Sequence, residues 1–310
     1  MPREGPDGGE PNVDELMRAA GLSRQPATSA SPRSSTTSAS HTAALREPAG
    51  SAARCSDRAA AEQRTAALPT RRKVTTQHGT LDPSSRVRLK PTTARHFTGD
   101  TLFDRVARVV CEANCLPRKE LYESWEIARR TRRRFRGGRV VDLACGHGLV
   151  AHLMLLLDDT SEAALCVDRR VPQSAAQLSE AMLRAWPRLA GRITYEQRPV
   201  EEITLQHDDV VVSAHACGAL TDLVLARAVA AGANVAVLPC CHDEDTCDAG
   251  ALDGWVDVSL AIDATRARWL AAQGYSVYTQ LVPATITPKN RLLMGERRPD
   301  VPTPDETSTG

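Results

Sequence analysis

Apolar positions divide the 310-residue chain into two unlike parts. Residues 1–95 hold no Phe, Trp or Tyr and few Ile, Leu or Val, while Ala, Ser, Thr, Pro and Arg dominate. Such a stretch buries too little apolar surface to offset its ordering entropy, so 1–95 is expected to be a disordered tail, and the polar residues 299–310 a second one. Within the first tail, Asn12 could cap a short helix with Val13, Leu16, Met17 and Ala20 on one side. Alone such a helix is marginal.

From Thr101 the pattern turns helical. Leu102, Val106, Val109 and Val110 recur at helical spacing, and Pro117 opens a second segment running from Arg118 to Phe135. Short apolar runs then alternate with amphipathic ones. Strands are expected over Arg139–Leu143, Ala164–Asp168, Ile193–Gln197, Asp209–Ala214 and Asn234–Leu238. Helices are expected over Gly148–Leu157, Gln173–Ala185, Ala219–Ala231 and Thr265–Gln273. Tyr275–Val282 and Arg291–Gly295 close the series as two strands with no helix between them, so one can return antiparallel. Strand and helix alternation of this kind requires crossover connections and a mainly parallel sheet covered on both faces. The pattern predicts an α/β domain over 96–298, with N-terminal helices over 96–138 and a Rossmann-like core over 139–298. Its sheet should have seven strands, mostly parallel, with helices on both faces.

Composition adds little to this outline. The chain is 42% hydrophobic and 25% charged with a net charge of +1, which as a whole argues for no polyanionic partner. The charge is unevenly spread: residues 16–95 carry fourteen Lys/Arg against four Asp/Glu. This stretch could be a transit peptide, an arm for nucleic acid or a plain solvated tail, although Glu4, Asp7, Glu10, Asp14 and Glu15 speak against the first. No apolar run reaches the roughly 18 to 20 residues a membrane span needs, and no secretory signal is evident. The expectation is a soluble intracellular protein with no membrane partner, cytoplasmic unless the tail targets an organelle. Nine scattered cysteines do not form a disulfide framework and are expected to be reduced thiols.

The strongest chemical signal is Val140-Val-Asp-Leu-Ala-Cys-Gly-His-Gly148, a hydrophobic strand ending in a loop of small residues that opens an apolar helix. Gly146 and Gly148 let the backbone approach a ligand closely, and Asp142 can accept from an ammonium. Asp168 ends the next strand twenty residues after Gly148, where a carboxylate can accept both hydroxyls of a ribose. The same spacing serves NAD, but Ala151 stands where a third glycine would be expected. The acid followed by Ala-Cys-Gly-His-Gly resembles motif I of S-adenosylmethionine-dependent methyltransferases, whose glycine loop passes beneath the methionine moiety. In the third strand region, Glu201 or Glu202 could contact an adenine or be surface charge.

Two further loops leave the carboxyl ends of strands: Ser213-Ala-His-Ala-Cys-Gly-Ala-Leu-Thr-Asp222 after the fourth and Leu238-Pro-Cys-Cys-His242 after the fifth. Those ends form the ligand crevice of a doubly wound sheet, so His215, Cys217, Cys240, Cys241 and His242 are expected to cluster there. They could bind zinc, supply a nucleophilic thiolate or simply fill a tight cleft. No Cys-x-x-Cys pair supports zinc, and no metal is assigned. Nor is the Thr-Cys-Ser context of the RNA cytosine-5 methyltransferases present. His215, Cys217, Cys240 and Cys241 remain candidate catalytic residues.

Taken together, HACGALTD, LPCCH, IDATRARWLAAQGY and ITPKNRLLMGER, with the upstream ANCLPRKELYESWE, resemble a subgroup of methyltransferase domains. That subgroup includes the C-terminal domain of the glutathione S-transferase C-terminal domain-containing protein. The resemblance covers about two thirds of the chain. It implies a class I methyltransferase fold and S-adenosylmethionine bound at Asp142, Ala144, Gly146, Gly148, Asp168 and Ser213, with an acceptor face around His215 and Cys217. It does not imply a substrate. Neither an Asn/Asp-Pro-Pro-Tyr/Phe motif nor an arginine-directed acidic loop is present.

Seven arginines, Arg129, Arg130, Arg132, Arg133, Arg134, Arg136 and Arg139, pack into eleven residues before the first strand. They could grip phosphates together with the basic tail, Lys289 and Arg291, or favour the end of a helix dipole. RNA is the favoured acceptor class and a protein side chain the second. A methyltransferase-like scaffold without activity is the alternative reading of the whole chain.

Overall fold

The computed structural model describes residues 81–298; the Asn12 helix, most of the expected N-terminal tail and the C-terminal tail lie outside the described residues. Residues 81–95, grouped with the tail by composition, pack against the domain. Leu89 is fully buried and its N–H donates to the Leu116 carbonyl at 2.9 Å, while Arg88 bridges to Pro117. One apolar anchor held by backbone hydrogen bonds leaves no periodic signal in a sequence.

Two helices precede the sheet, α1 (Leu102–Ala113) and α2 (Arg118–Arg134). Thr101 caps α1 by accepting from the Asp104 N–H at 3.1 Å, and Phe103, Val106, Ala107 and Val110 form its buried side. There follow β1 (Val140–Leu143), α3 (Leu149–Leu157), β2 (Ala164–Asp168), α4 (Ala175–Ala185), β3 (Ile193–Gln197) and β4 (Val210–Ser213). Beyond them come α5 (Ala219–Ala231), β5 (Asn234–Val237), α6 (Val258–Ala272), β6 (Tyr275–Leu281) and β7 (Arg291–Arg297). The seven strands lie in the order β3-β2-β1-β4-β5-β7-β6. All pairs are parallel except those of β7, which slots antiparallel between β5 and β6. This is the class I methyltransferase sheet that the sequence pattern predicts.

Alternation along the strands sorts the core into two layers. Val140, Val210 and Val212 pack with α1 to α4 on one face, and Val141, Leu143, Val211 and Val235 pack with α5 on the other. Asp142 shares the face of Val140, so its carboxyl points into the helix-covered layer rather than toward solvent.

Most boundaries fall within two residues of the sequence pattern, and two elements run longer than it predicts. Helix α6 begins at Val258 rather than Thr265, because Asp257 caps it by accepting from the Leu260 N–H at 3.2 Å. Strand β7 runs two residues further, to Arg297, because its ladder with β6 extends to the Tyr275–Arg297 pair. Among the described residues no helix is long and apolar enough to cross a membrane.

The arginine run is largely consumed by the fold. Arg129 and Arg130 both bond Glu126, at 2.7 and 2.8 Å. Arg132 is buried, donating to the Met154 carbonyl at 3.1 Å and to Ser161 Oγ at 2.6 Å, with Asp158 at 3.3 Å. Arg134 pairs with Glu296, Arg136 donates to the Leu157 carbonyl at 3.2 Å, and Arg139 clasps Asp209 at 2.7 Å. These guanidiniums tie α2 and the start of β1 to the rest of the domain.

Candidate functional site

The loop after β1 is shaped by three left-handed residues, Ala144, Gly146 and Gly148, at φ of 56°, 53° and 74°. Gly148 sits where a side chain cannot. An added Cβ would stand 2.6 Å from Tyr195 Oη and 2.9 Å from Cys166 Sγ. Gly146 is the opposite case, with nothing within 4 Å of such a Cβ, so open space lies above the loop for a ligand. The left-handed backbone costs about 1–2 kcal/mol with a Cβ. Gly148→Ala is therefore expected to destabilise the domain by at least that amount, and Tyr195→Phe to restore part of the loss by removing the clashing hydroxyl. Thermal unfolding of the single and double variants checks it, and additive losses would count against the clash.

Asp168 sets the other wall. Its Oδ2 accepts the Gly146 N–H at 2.9 Å and its Oδ1 the Arg170 N–H at 3.0 Å, so the acid and the glycine loop hold each other in register. Tyr195 Oη donates to the His147 carbonyl at 2.9 Å, and His147 Nε2 lies 2.9 Å from Ser174 Oγ. Ser174 and Tyr195 were not singled out by sequence. They come from the start of α4 and from β3, and no local motif ties either to the loop. Beside Asp168 a cleft of about 810 Å³ opens between Arg170, Gln173, Ser174 and Gln197.

Asp142 is 1% exposed and accepts the Ala151 N–H at 3.3 Å. Burial pushes its carboxyl up to about 8, against the pull of that N–H and with help from the nearby Asp168 and Glu120 charges. A buried acid in this condition is stabilised by an incoming cation. At the end of β4, Ser213 Oγ is buried without a hydrogen-bond partner in the protein. Asp142, Ala144, Gly146, Gly148, Asp168 and Ser213 thus all fall at the carboxyl ends of β1, β2 and β4, where the sequence places the cofactor. Glu201 is drawn into an ion pair with Arg169 at 2.8 Å, and Glu202 is exposed.

On the acceptor side the expected five-residue cluster divides. Cys217, Cys240 and Cys241 converge, with their Sγ atoms all within 4.8 Å of one another. His215 is half-buried in the same loop, and its carbonyl accepts from the Cys217 thiol at 3.5 Å. His242 points elsewhere: its side chain is 2% exposed and its Nε2 lies 2.8 Å from Asp263 Oδ1. Burial alone would raise Asp263, but hydrogen bonds from His242 and Arg291 outweigh it and hold the carboxyl below its ordinary value. Arg291 is tied to the same acid at 2.6 Å, so it is engaged within the fold. Burial raises the Cys217 and Cys240 thiols above the ordinary range, so both carry protons at neutral pH, which disfavours a ready thiolate nucleophile.

Beneath these loops lies a pair that the sequence does not advertise. Arg266, 1% exposed, donates from Nε to Asp222 Oδ1 at 2.6 Å and from Nη2 to Oδ2 at 2.9 Å. The same Nη2 reaches the Gly218 carbonyl at 3.0 Å, which fastens α6 to the loop carrying Cys217.

Residues 119–246 match the model of a family described as a methyltransferase domain. No curated protein matches the chain. Among solved structures, an O-methyltransferase family protein from Burkholderia thailandensis is 17% identical at a TM-score of 0.42; the match covers 69% of this chain and 64% of that one, under two thirds of its length. Magnesium protoporphyrin IX methyltransferase from Synechocystis PCC 6803, solved with bound S-adenosylmethionine, is 16% identical over 67% of this chain and 97% of that one, at 0.38. The ribosomal protein L11 methylase of Lactobacillus delbrueckii subsp. bulgaricus is 10% identical over 57% and 79%, at 0.40. The fold assignment rests on the strand order itself.

Proposed function

We propose that the domain is an S-adenosylmethionine-dependent methyltransferase, of the subgroup that shares the HACGALTD and LPCCH loops. The observation that carries this reading is a buried Asp142 with a raised carboxyl, open space above Gly146, and an acid at Asp168 bonded to the Gly146 N–H, all at the carboxyl ends of β1 and β2. Asp142 would meet the ammonium of the methionine moiety, the Ala144–Gly148 loop would pass beneath it, Asp168 would accept the ribose hydroxyls, and Ser213 would offer its unpartnered hydroxyl. The bound cofactor supplies an electrophilic methyl on a sulfonium. The protein's part is to hold an acceptor in line with it at the His215 and Cys217 loop, which is catalysis by proximity and alignment.

Arg130, back on α2, reaches Gln280 near the carboxyl end of β6. Arg136 and Arg139 directly precede β1 and so lie at the amino ends of the strands, while the crevice lies at their carboxyl ends. A second cleft of about 710 Å³, lined by Arg136, Arg139, His207 and Asp208, is at that same far end. A phosphate held there would sit across the sheet from the methyl group. The RNA reading thus draws on the basic tail and the earlier arginines of the run, with a protein side chain as the other acceptor class.

Calorimetric titration of S-adenosylmethionine into the full chain should give saturable one-to-one binding. In Asp168→Ala it should be about tenfold weaker or worse, the scale of one lost charge-assisted hydrogen bond. Methyl label from the cofactor should reach an acceptor in a lysate depleted of its own methylation. No binding to the folded chain would sink the proposal and leave a scaffold role.

A further inference from the structure

Cys217 follows β4 and Cys240 and Cys241 follow β5, and no sequence spacing marks them as a set. Parallel pairing brings them together. Strands β4 and β5 end in register at Ser213 and Val237, so both loops leave the sheet side by side. The Gly218 N–H donates to the Cys241 carbonyl at 3.2 Å, joining one loop to the other, and the buried Arg266–Asp222 pair holds Gly218 from below. The cysteines therefore sit on backbone fixed from two directions, and the fold does not have to be rearranged to bring their side chains together.

Cys217 Sγ lies 3.1 Å from Cys240 Sγ, and Cys240 Sγ 3.8 Å from Cys241 Sγ. Two thiolates bound tetrahedrally at about 2.3 Å from one zinc stand about 3.8 Å apart. The Cys240–Cys241 separation meets that spacing, the Cys217–Cys240 separation falls about 0.7 Å short of it, and all three sulfurs lie within 4.8 Å of one another. Cys217 and Cys241 are exposed, so an ion can enter. Three protein sulfurs leave a tetrahedral ion with one further position, to be filled from solvent. The donor set selects the ion: soft sulfur favours zinc-type cations over magnesium or calcium, which take oxygen.

We propose that Cys217, Cys240 and Cys241 form a three-thiolate site for a thiophilic divalent cation of the zinc type, with its fourth position open at the acceptor face. Binding breaks three S–H bonds, forms three metal–sulfur bonds and releases three protons to solvent, with no change of oxidation state. The site does not depend on the methyl-transfer reading, because its donors and their support come from the protein alone.

The test is titration of cadmium chloride into the full chain, kept reduced with a phosphine and stripped of metal beforehand. The ultraviolet thiolate-to-cadmium band is followed together with proton release. A band that saturates at one equivalent with about three protons released supports the site. Cys217→Ser and Cys241→Ser, both at exposed positions, should each weaken binding by more than the tenfold to hundredfold that loss of an outer-shell partner costs. Cys55→Ser should leave it unchanged. Absence of a band at one equivalent, or a band that survives Cys217→Ser and Cys241→Ser with undiminished affinity in folded variants, overturns the proposal.

Discussion

Asp142→Asn is expected to weaken S-adenosylmethionine binding by about 10- to 150-fold, because it keeps the shape of the side chain but removes a charge-assisted hydrogen bond of about 1.5–3 kcal/mol. The pH profile separates this charge effect from a loss of shape. With its carboxyl pushed up to about 8, Asp142 holds a proton at neutral pH in the free protein, and an incoming ammonium must displace it. Wild-type affinity should therefore rise with pH, by up to about tenfold per unit, until about 8. Above that it should fall, as the ligand's own α-ammonium, with an ordinary value of about 7.7–8.0, loses its proton. In Asp142→Asn the acid limb should be flat. Stability should move the opposite way. The folded carboxyl titrates above its unfolded value of about 3.9, so between about pH 4 and 8 the unfolded state binds fewer protons and stability falls as pH rises. Asp142→Asn lacks that slope and should be no less stable than wild type near pH 8. Calorimetry and thermal unfolding across the range measure both. Equal affinities and matching acid limbs would remove Asp142 from the cofactor site.

Asp222→Ala is expected to be strongly destabilising. It takes the bidentate acid from the Arg266 guanidinium, 1% exposed, and leaves it the Gly218 carbonyl at 3.0 Å and the more distant Asp263 carboxylate at 3.3 Å. Breaking a buried pair from one side costs about 3–5 kcal/mol, whereas replacing both partners by apolar groups of similar volume is often close to neutral. For a domain of this size such a loss lowers the melting temperature by roughly 6–20 °C. Asp222→Leu combined with Arg266→Met should recover much of it, as chemical denaturation can measure. Recovery in the double variant with persistent loss of the metal-binding band would mean that Gly218 needs the Arg266 hydrogen bond to keep the Cys217 loop in place. If Asp222→Ala melts within a degree or two of wild type, the pair is not the fastening described here.

The sequence by itself determined the sheet and the glycine loop that follows its first strand. Both depend on short-range rules: a short apolar strand buried on both faces, small residues where the backbone turns left-handed, and an acid at the end of the next strand. Val140 to Gly148 and Asp168 carry all of that within one βαβ unit. The tertiary structure decided what depends on charges and distances between elements. Six of the seven arginines in eleven residues pair with Glu126, Asp158, Asp209 or Glu296, the last some 160 residues away, which no local pattern records. Leu89 joins the domain through hydrogen bonds and one buried side chain, which no periodicity records. The five Cys and His residues expected together were divided by Asp263, which draws His242 into the interior. Three of the other four, the thiols, were gathered by strand pairing between loops more than twenty residues apart, a juxtaposition that a search for Cys-x-x-Cys cannot find.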